Sequence, residues 1–158
     1  MSAVRHAEGA ADMAAVRTLF REYADWLGID LTFQDFDEEL AGLPGDYAPP
    51  AGRLLLGEVG GRPAGCVGLR PFEAGIGEVK RLYLRPAFQG RGLGRRLAET
   101  LVAEARAIGY RALRLDTLAR LTAANTLYAS LGFRPIPPYY HNPNAGVLYY
   151  ELDLARGT

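Results

Sequence analysis

Six consecutive residues, Gln89-Gly90-Arg91-Gly92-Leu93-Gly94, carry the most pointed chemical signal in the sequence. Closely spaced glycines let successive backbone N–H groups converge on one concavity with no side chain in the way. A helix opening at that point adds the positive end of its dipole, a setting that suits a phosphate or pyrophosphate. Arg91, Arg95 and Arg96 bring full charges to the same place. The dinucleotide fingerprint fails here, because a G-x-G-x-x-G frame from Gly90 ends on Arg95 and one from Gly92 ends on Leu97. The Walker pattern fails as well, since the chain has no Gly-Lys pair. A glycine turn that binds nothing is the alternative the residues leave open.

Other reactive side chains are few. Cys66 is the lone cysteine and sits in the apolar run Ala64 to Leu69, where an inert buried thiol is the expectation rather than a nucleophile. His6, Cys66 and His141 are scattered, which argues against a zinc site and predicts no metal. A single thiol excludes an internal disulfide framework and fits a reducing cytoplasm. The 158 residues, 49% hydrophobic and 23% charged, are the size and balance of one globular domain spanning 1–158. No apolar run reaches the roughly 20 residues of a membrane span. Formal net charge is zero but segregated. Eight acids and no Lys or Arg lie between Glu22 and Gly52, whereas Lys80 to Arg120 holds ten basic residues and a net charge of +7. The two segments are either poles for ligands of opposite charge or solvated helix faces. Zero overall charge and a basic stretch without interleaved aromatics argue against nucleic acid as a partner. Of the 18 basic residues only Lys80 is a lysine.

The elements that must position these groups follow from periodicity and punctuation. Ala3 to Ala7 reads as a strand, and a helix with Val16, Leu19, Phe20, Tyr23 and Leu27 on one face stops at Gly28. A second helix is predicted over Phe33 to Leu43, then a loop from Pro44 to Gly52. Strands Arg53 to Val59 and Ala64 to Arg70 form a hairpin around Gly60-Gly61-Arg62-Pro63. Glu78 to Leu84 is a strand, the glycine loop opens a helix reaching about Ile108, and Gly109 ends it. Ala112 to Asp116 is a strand, Leu121 to Leu131 a helix, and Phe133 to Ile136 and Val147 to Leu154 two last strands. That order predicts an α/β fold with a mixed, mostly antiparallel sheet of about six or seven strands, flanked by about four helices. Strict alternation would put Glu78, Lys80, Leu82 and Leu84 on one face of their strand and Val79, Arg81 and Tyr83 on the other.

Gln89, Gly92 and Gly94 satisfy Gln-x-x-Gly-x-Gly, the pyrophosphate signature of the GNAT N-acetyltransferase superfamily, which this sequence resembles over nearly its whole length. The strand before the loop and the segment Ala124 to Phe133 agree with the resemblance, as does the element order. It implies acetyl-CoA or another acyl-CoA as donor and an amine as acceptor, in a transferase of the acyltransferase class. Backbone groups of Leu82, Tyr83 and Leu84 would pair with the pantetheine arm. The amides of Gln89, Gly90, Arg91, Gly92, Leu93, Gly94 and Arg95 would hold the pyrophosphate, and Asn125 would contact the cofactor. Tyr128 stands where the family often carries its general acid, and a phenol can donate to a thiolate. Packing against the sheet is the other reading of Tyr128. Glu78, eleven residues before Gln89, stands where some members place a carboxylate base. A surface charge paired with Lys80 is its other reading, and Asp116, at a strand end, would cap or orient instead of reacting. The acceptor would lie between the acidic Glu22 to Gly52 segment and the late loop Tyr139 to Pro143. Acids there would attract an amine, and one of Lys80 or Arg81 would hold a carboxylate, which suits a small amino-acid-like molecule. A non-catalytic acyl-CoA-binding module is the competing function, and a homodimer is an assembly common in such proteins.

Overall fold

The structure is a computed structural model that describes residues 1–31 and 35–155. Strand β1 (Ser2–His6) leads into helix α1 (Gly9–Leu27), whose Val16, Leu19 and Phe20 are fully buried. Gly28 closes it in the left-handed region at φ 69°, and its N–H donates to the carbonyls of Ala24 and Asp25. Helix α2 (Phe36–Ala41) is shorter than predicted, and Thr32, Phe33 and Gln34 lie outside the described residues. A single 3₁₀ turn, Gly45–Tyr47, follows and seats the buried Tyr47 ring.

Strands β2 (Arg53–Val59) and β3 (Arg62–Glu73) form the expected hairpin. Gly60 and Gly61 both take positive φ, so they alone make the turn, and Arg62 and Pro63 already belong to β3. β3 runs past Pro71, a residue that breaks a regular ladder, because the register shifts there against β4 (Ile76–Leu84). Helix α3 (Leu93–Ile108), strand β5 (Ala112–Leu118), helix α4 (Thr122–Ser130) and strands β6 (Arg134–Ile136) and β7 (Val147–Asp153) complete the order.

Among the described residues seven strands form one sheet in the order β1-β2-β3-β4-β5-β7-β6, and only the β4/β5 pair is parallel. On one face α3 buries Leu93, Leu97, Leu101 and Ala105 against Val67, Leu69 and Leu113. On the other, Leu19 and Phe20 of α1 and Phe36 and Leu40 of α2 cover Leu54, Leu56, Cys66 and Tyr83.

Alternation along β4 fails after Lys80. Gly68 pairs with Lys80 and Cys66 with Tyr83, so Val67 alone faces both Arg81 and Leu82. This is a β-bulge, and Arg81 takes φ 62° within it. The extra residue turns the rest of the strand over. Leu82 and Leu84 join Val79 on the α3 face, while Arg81 follows Glu78 and Lys80 to the α1/α2 face and reaches Glu39. Three contacts hold the bulge: both Glu39 oxygens on the Arg81 guanidinium, the Phe36 ring at 5.3 Å, and the Cys66 thiol donating to the Arg81 carbonyl at 3.4 Å. Cys66 is therefore the expected buried thiol with a structural partner, and burial pushes its pKa up.

Candidate active site

The parallel ladder between β4 and β5 lasts only three residues, from Ile76↔Ala112 to Glu78↔Arg114. Beyond it the strands part, and among the described residues no strand pairs with β4 on its β5 side from Val79 onward. The narrow cleft between them is lined by Tyr23 and Trp26 of α1, Val79 to Leu82, Asp116 to Leu118, and Ala124 and Tyr128 of α4.

Tyr128 is 7% exposed and its ring packs edge-on against Phe133 at 5.6 Å. Its hydroxyl has no hydrogen-bond partner among the described residues, and burial raises its pKa above the ordinary phenol value. The packing reading of this residue is thus met, with its ring in the core on the α3 face of the sheet. Asn125 donates from Nδ2 to the Leu118 carbonyl at 3.0 Å, while its buried Oδ1 accepts nothing. A buried acceptor left without a donor is costly.

At the end of β4 the Gln89 side chain donates to the Leu84 carbonyl at 3.2 Å, folding the loop back on its own strand. Gly90 and Gly92 take φ 79° and 78°, and a Cβ at either would meet open space. Backbone conformation therefore demands glycine there, and the concavity beside it is unobstructed. Leu93 is fully buried, so only its backbone faces the loop. Arg91 lies over the Phe88 ring at 5.7 Å, and Arg95 reaches Ser130 at the end of α4 at 2.6 Å. Arg96 is drawn off to Ser2 of β1.

A second, larger cleft of about 600 Å³ opens on the α1/α2 face. Its walls are Glu38 and Glu39, the Gly42 to Tyr47 turn, Arg70 to Phe72, Glu78, Lys80 and Tyr140. Glu78 is 2% exposed and is paired with Arg70 at 3.0 Å, not with Lys80 as one reading had it. Its other oxygen accepts from the Tyr139 hydroxyl at 2.7 Å. Lys80 is paired across the fork with Asp116 at 3.2 Å. The second oxygen of Asp116 accepts from the Tyr140 hydroxyl and from Asn142. Burial works against the Asp116 charge, but Lys80 and Tyr140 hold its pKa below the usual carboxylate range. Burial lowers that of Lys80 from its ordinary value, opposed chiefly by Asp116.

A family model described as the acetyltransferase (GNAT) family matches residues 13–133. The chain belongs to this family. An N-acetyltransferase of Schizosaccharomyces pombe is 40% identical over 147 residues, covering 92% of this chain and 90% of the relative. Among solved structures, an acetyltransferase from Streptococcus agalactiae superposes with a TM-score of 0.80 at 19% identity, covering 97% of this chain and 98% of that one. A Salmonella typhimurium protein solved with its cofactor acetyl-CoA gives 0.71 at 24% identity, covering 97% and 94%. This GNAT protein is accordingly an N-acetyltransferase by family, and the donor of that family's reaction is acetyl-CoA.

In this GNAT chain the fold gathers Tyr128 and Leu82 around one cleft, with Asn125 behind its wall on the Leu118 carbonyl and with Tyr83, Leu84 and the Gln89 to Arg95 loop at the continuation of β4. Glu78 lies in the wall of the other cleft. The expected carboxylate anchor needs correction. The bulge sends Lys80 and Arg81 to the same side rather than one to each, and both are buried in ion pairs, Lys80 with Asp116 and Arg81 with Glu39. The charge segments are not simply solvated faces either, because Glu22 and Glu39 pair with Arg85 and Arg81 between them. Sequence reasoning missed Arg70, the Tyr139 contact to Glu78 and the Tyr140 contact to Asp116, and nothing in their spacing announces them. His141 is exposed.

Proposed function

We propose that this GNAT protein moves the acetyl group of acetyl-CoA directly to the primary amine of a small, amino-acid-like molecule. The observation that carries the reading is the Tyr128 hydroxyl in the wall of the fork, without a hydrogen-bond partner among the described residues, with the orphaned Asn125 Oδ1 on the same helix and a separate acid-rimmed cleft beside it. The open glycine concavity at the start of α3 fits a pyrophosphate, and the free edge of β4 at Leu82, Tyr83 and Leu84 fits an amide-bearing arm. Asn125 offers that arm an acceptor. When bound, acetyl-CoA supplies an activated acyl carbon on a thiol leaving group.

The chain's residues supply the rest. Tyr128 keeps its proton across the ordinary pH range and gives it to the departing sulfur. Glu78 accepts the amine proton, directly or through a water, with Arg70 and Tyr139 fixing its carboxylate. Asp35, Glu38 and Asp46 on the cleft rim attract the cationic amine before it is deprotonated. Arg70, a quarter of whose side chain is accessible, is the cation best placed for a substrate carboxylate, in preference to Lys80 at 4% or Arg81 at 2%.

The test is a calorimetric titration with acetyl-CoA, using dephosphorylated CoA and NAD as controls, followed by an amine screen for thiol release. Micromolar binding of acetyl-CoA with little for NAD, and release that depends on a small amine, is the expected result. No binding of acetyl-CoA would overturn the reading.

A further inference from the structure

The two clefts meet at one side chain. Among the described residues, Lys80 alone lines both the fork and the acid-rimmed cleft. It stands two residues beyond the last β4/β5 pair, as Asp116 does on the other strand, so their ion pair closes the base of the fork. If donor and acceptor occupy the two spaces, their reacting atoms meet there.

A buried ammonium is held in place by its partners, and those of Lys80 are unevenly used. Nζ has three N–H donors, and the hydrogen bond to Asp116 takes one. No other partner of Nζ is found among the described residues. Asp116 cannot swing away, because Tyr140 and Asn142 hold its other oxygen from the late loop. Glu78, Arg81 and Arg70 are the remaining charged groups that act on Lys80, and each has its own ion-pair partner. The result is a fixed, water-poor cation with two donors to spare.

We infer that the Lys80 ammonium is a catalytic group of the acetyl transfer, the cation that faces the thioester oxygen as negative charge develops on it, and that Asp116 is its positioning residue. The inference rests on the acetyl-transfer reading and deepens it. The amine nitrogen bonds to the acyl carbon, and the carbonyl electron pair moves onto the oxygen beside Lys80. That pair then returns, the C–S bond breaks, sulfur takes the Tyr128 proton, and the amine proton leaves through Glu78 to solvent. Tyr128 is reprotonated from solvent, and Lys80 gives up no proton. Its charge serves a second purpose, since a nearby cation disfavours the ammonium form of the incoming amine.

Removing Lys80 alone would strand a buried carboxylate, so the deciding variant is Lys80→Met with Asp116→Asn. The neutral pair is expected to melt near the wild type and to bind acetyl-CoA within about threefold, while kcat falls about 10²- to 10³-fold, as for loss of one preorganised donor. A kcat within threefold of wild type in that variant would show the pair to be structural and overturn the assignment. A measurement on the unaltered protein stands beside it. Lys80 is the only lysine in the chain, so lysine labelled with ¹⁵N at Nζ gives one side-chain signal. Saturation with acetyl-CoA should move that signal and slow its N–H exchange. An unmoved signal at saturation overturns the proposal whether or not the variant folds. Absence of acetyl-CoA binding to the wild type is a different failure, of the functional reading itself, and takes the proposal with it.

Discussion

Replacing Tyr128 by Phe removes one oxygen and leaves the ring that packs on Phe133 and Tyr150. The structure separates the stability and activity consequences of that change. Tyr128 is 7% exposed and its hydroxyl has no hydrogen-bond partner among the described residues. The hydroxyl opens into the fork that Tyr128 lines, where water reaches it, so it carries no full desolvation penalty in the folded state. Deleting it should therefore leave stability nearly unchanged, with a melting temperature within about 2–4 °C of wild type, the shift worth about 1 kcal/mol in a chain of this length. Activity should fall, because general acid assistance is worth about 10²- to 10⁴-fold. Thiol release under saturating acetyl-CoA and amine measures kcat, calorimetry measures donor affinity, and a thermal melt measures stability. The expected pattern is a kcat lower by at least about 10²-fold, donor affinity within about threefold, and no loss of stability. A kcat within threefold of wild type would refute the role of the hydroxyl. A large loss of stability would refute the claim that it is unpaired.

Three further outcomes are expected. Asn125→Ala gives up the hydrogen bond to Leu118 and the orphaned Oδ1 together, so the melt should shift little while calorimetry shows acetyl-CoA binding weakened by about tenfold, the worth of one good hydrogen bond. Gly92→Ala must hold a non-glycine residue at φ 78°, which costs about 1–2 kcal/mol, and urea unfolding should show that loss alongside weaker donor binding. Arg5 and the Glu8 N–H together hold the Asp12 pKa at about 2, below the ordinary carboxylate range. A carboxylate depressed in the folded state stabilises above its unfolded pKa and loses that contribution as pH falls through its folded pKa. Wild-type urea midpoints should accordingly decline between pH 4 and 2, and Asp12→Asn should flatten that part of the decline.

The sequence by itself determined the element order, the hairpin, the glycine loop and the helix stops at Gly28 and Gly109. These are local matters of backbone conformation and of periodicity within one segment, and they survive in any context. It also placed Tyr128, Asn125 and Glu78 on the right elements. What it could not state was who meets whom. Glu78 and Arg70 are adjacent only because β3 and β4 pair in one register, and Lys80 meets Asp116 only because two parallel strands separate after three residues. The bulge at Arg81 shows the limit most sharply. Alternation is a rule of a regular ladder, and one inserted residue, stabilised by Glu39, Phe36 and Cys66 from distant segments, reversed the faces of every residue after it. The decision lay in long-range pairing, whose energy is shared between segments and leaves no mark in either one alone.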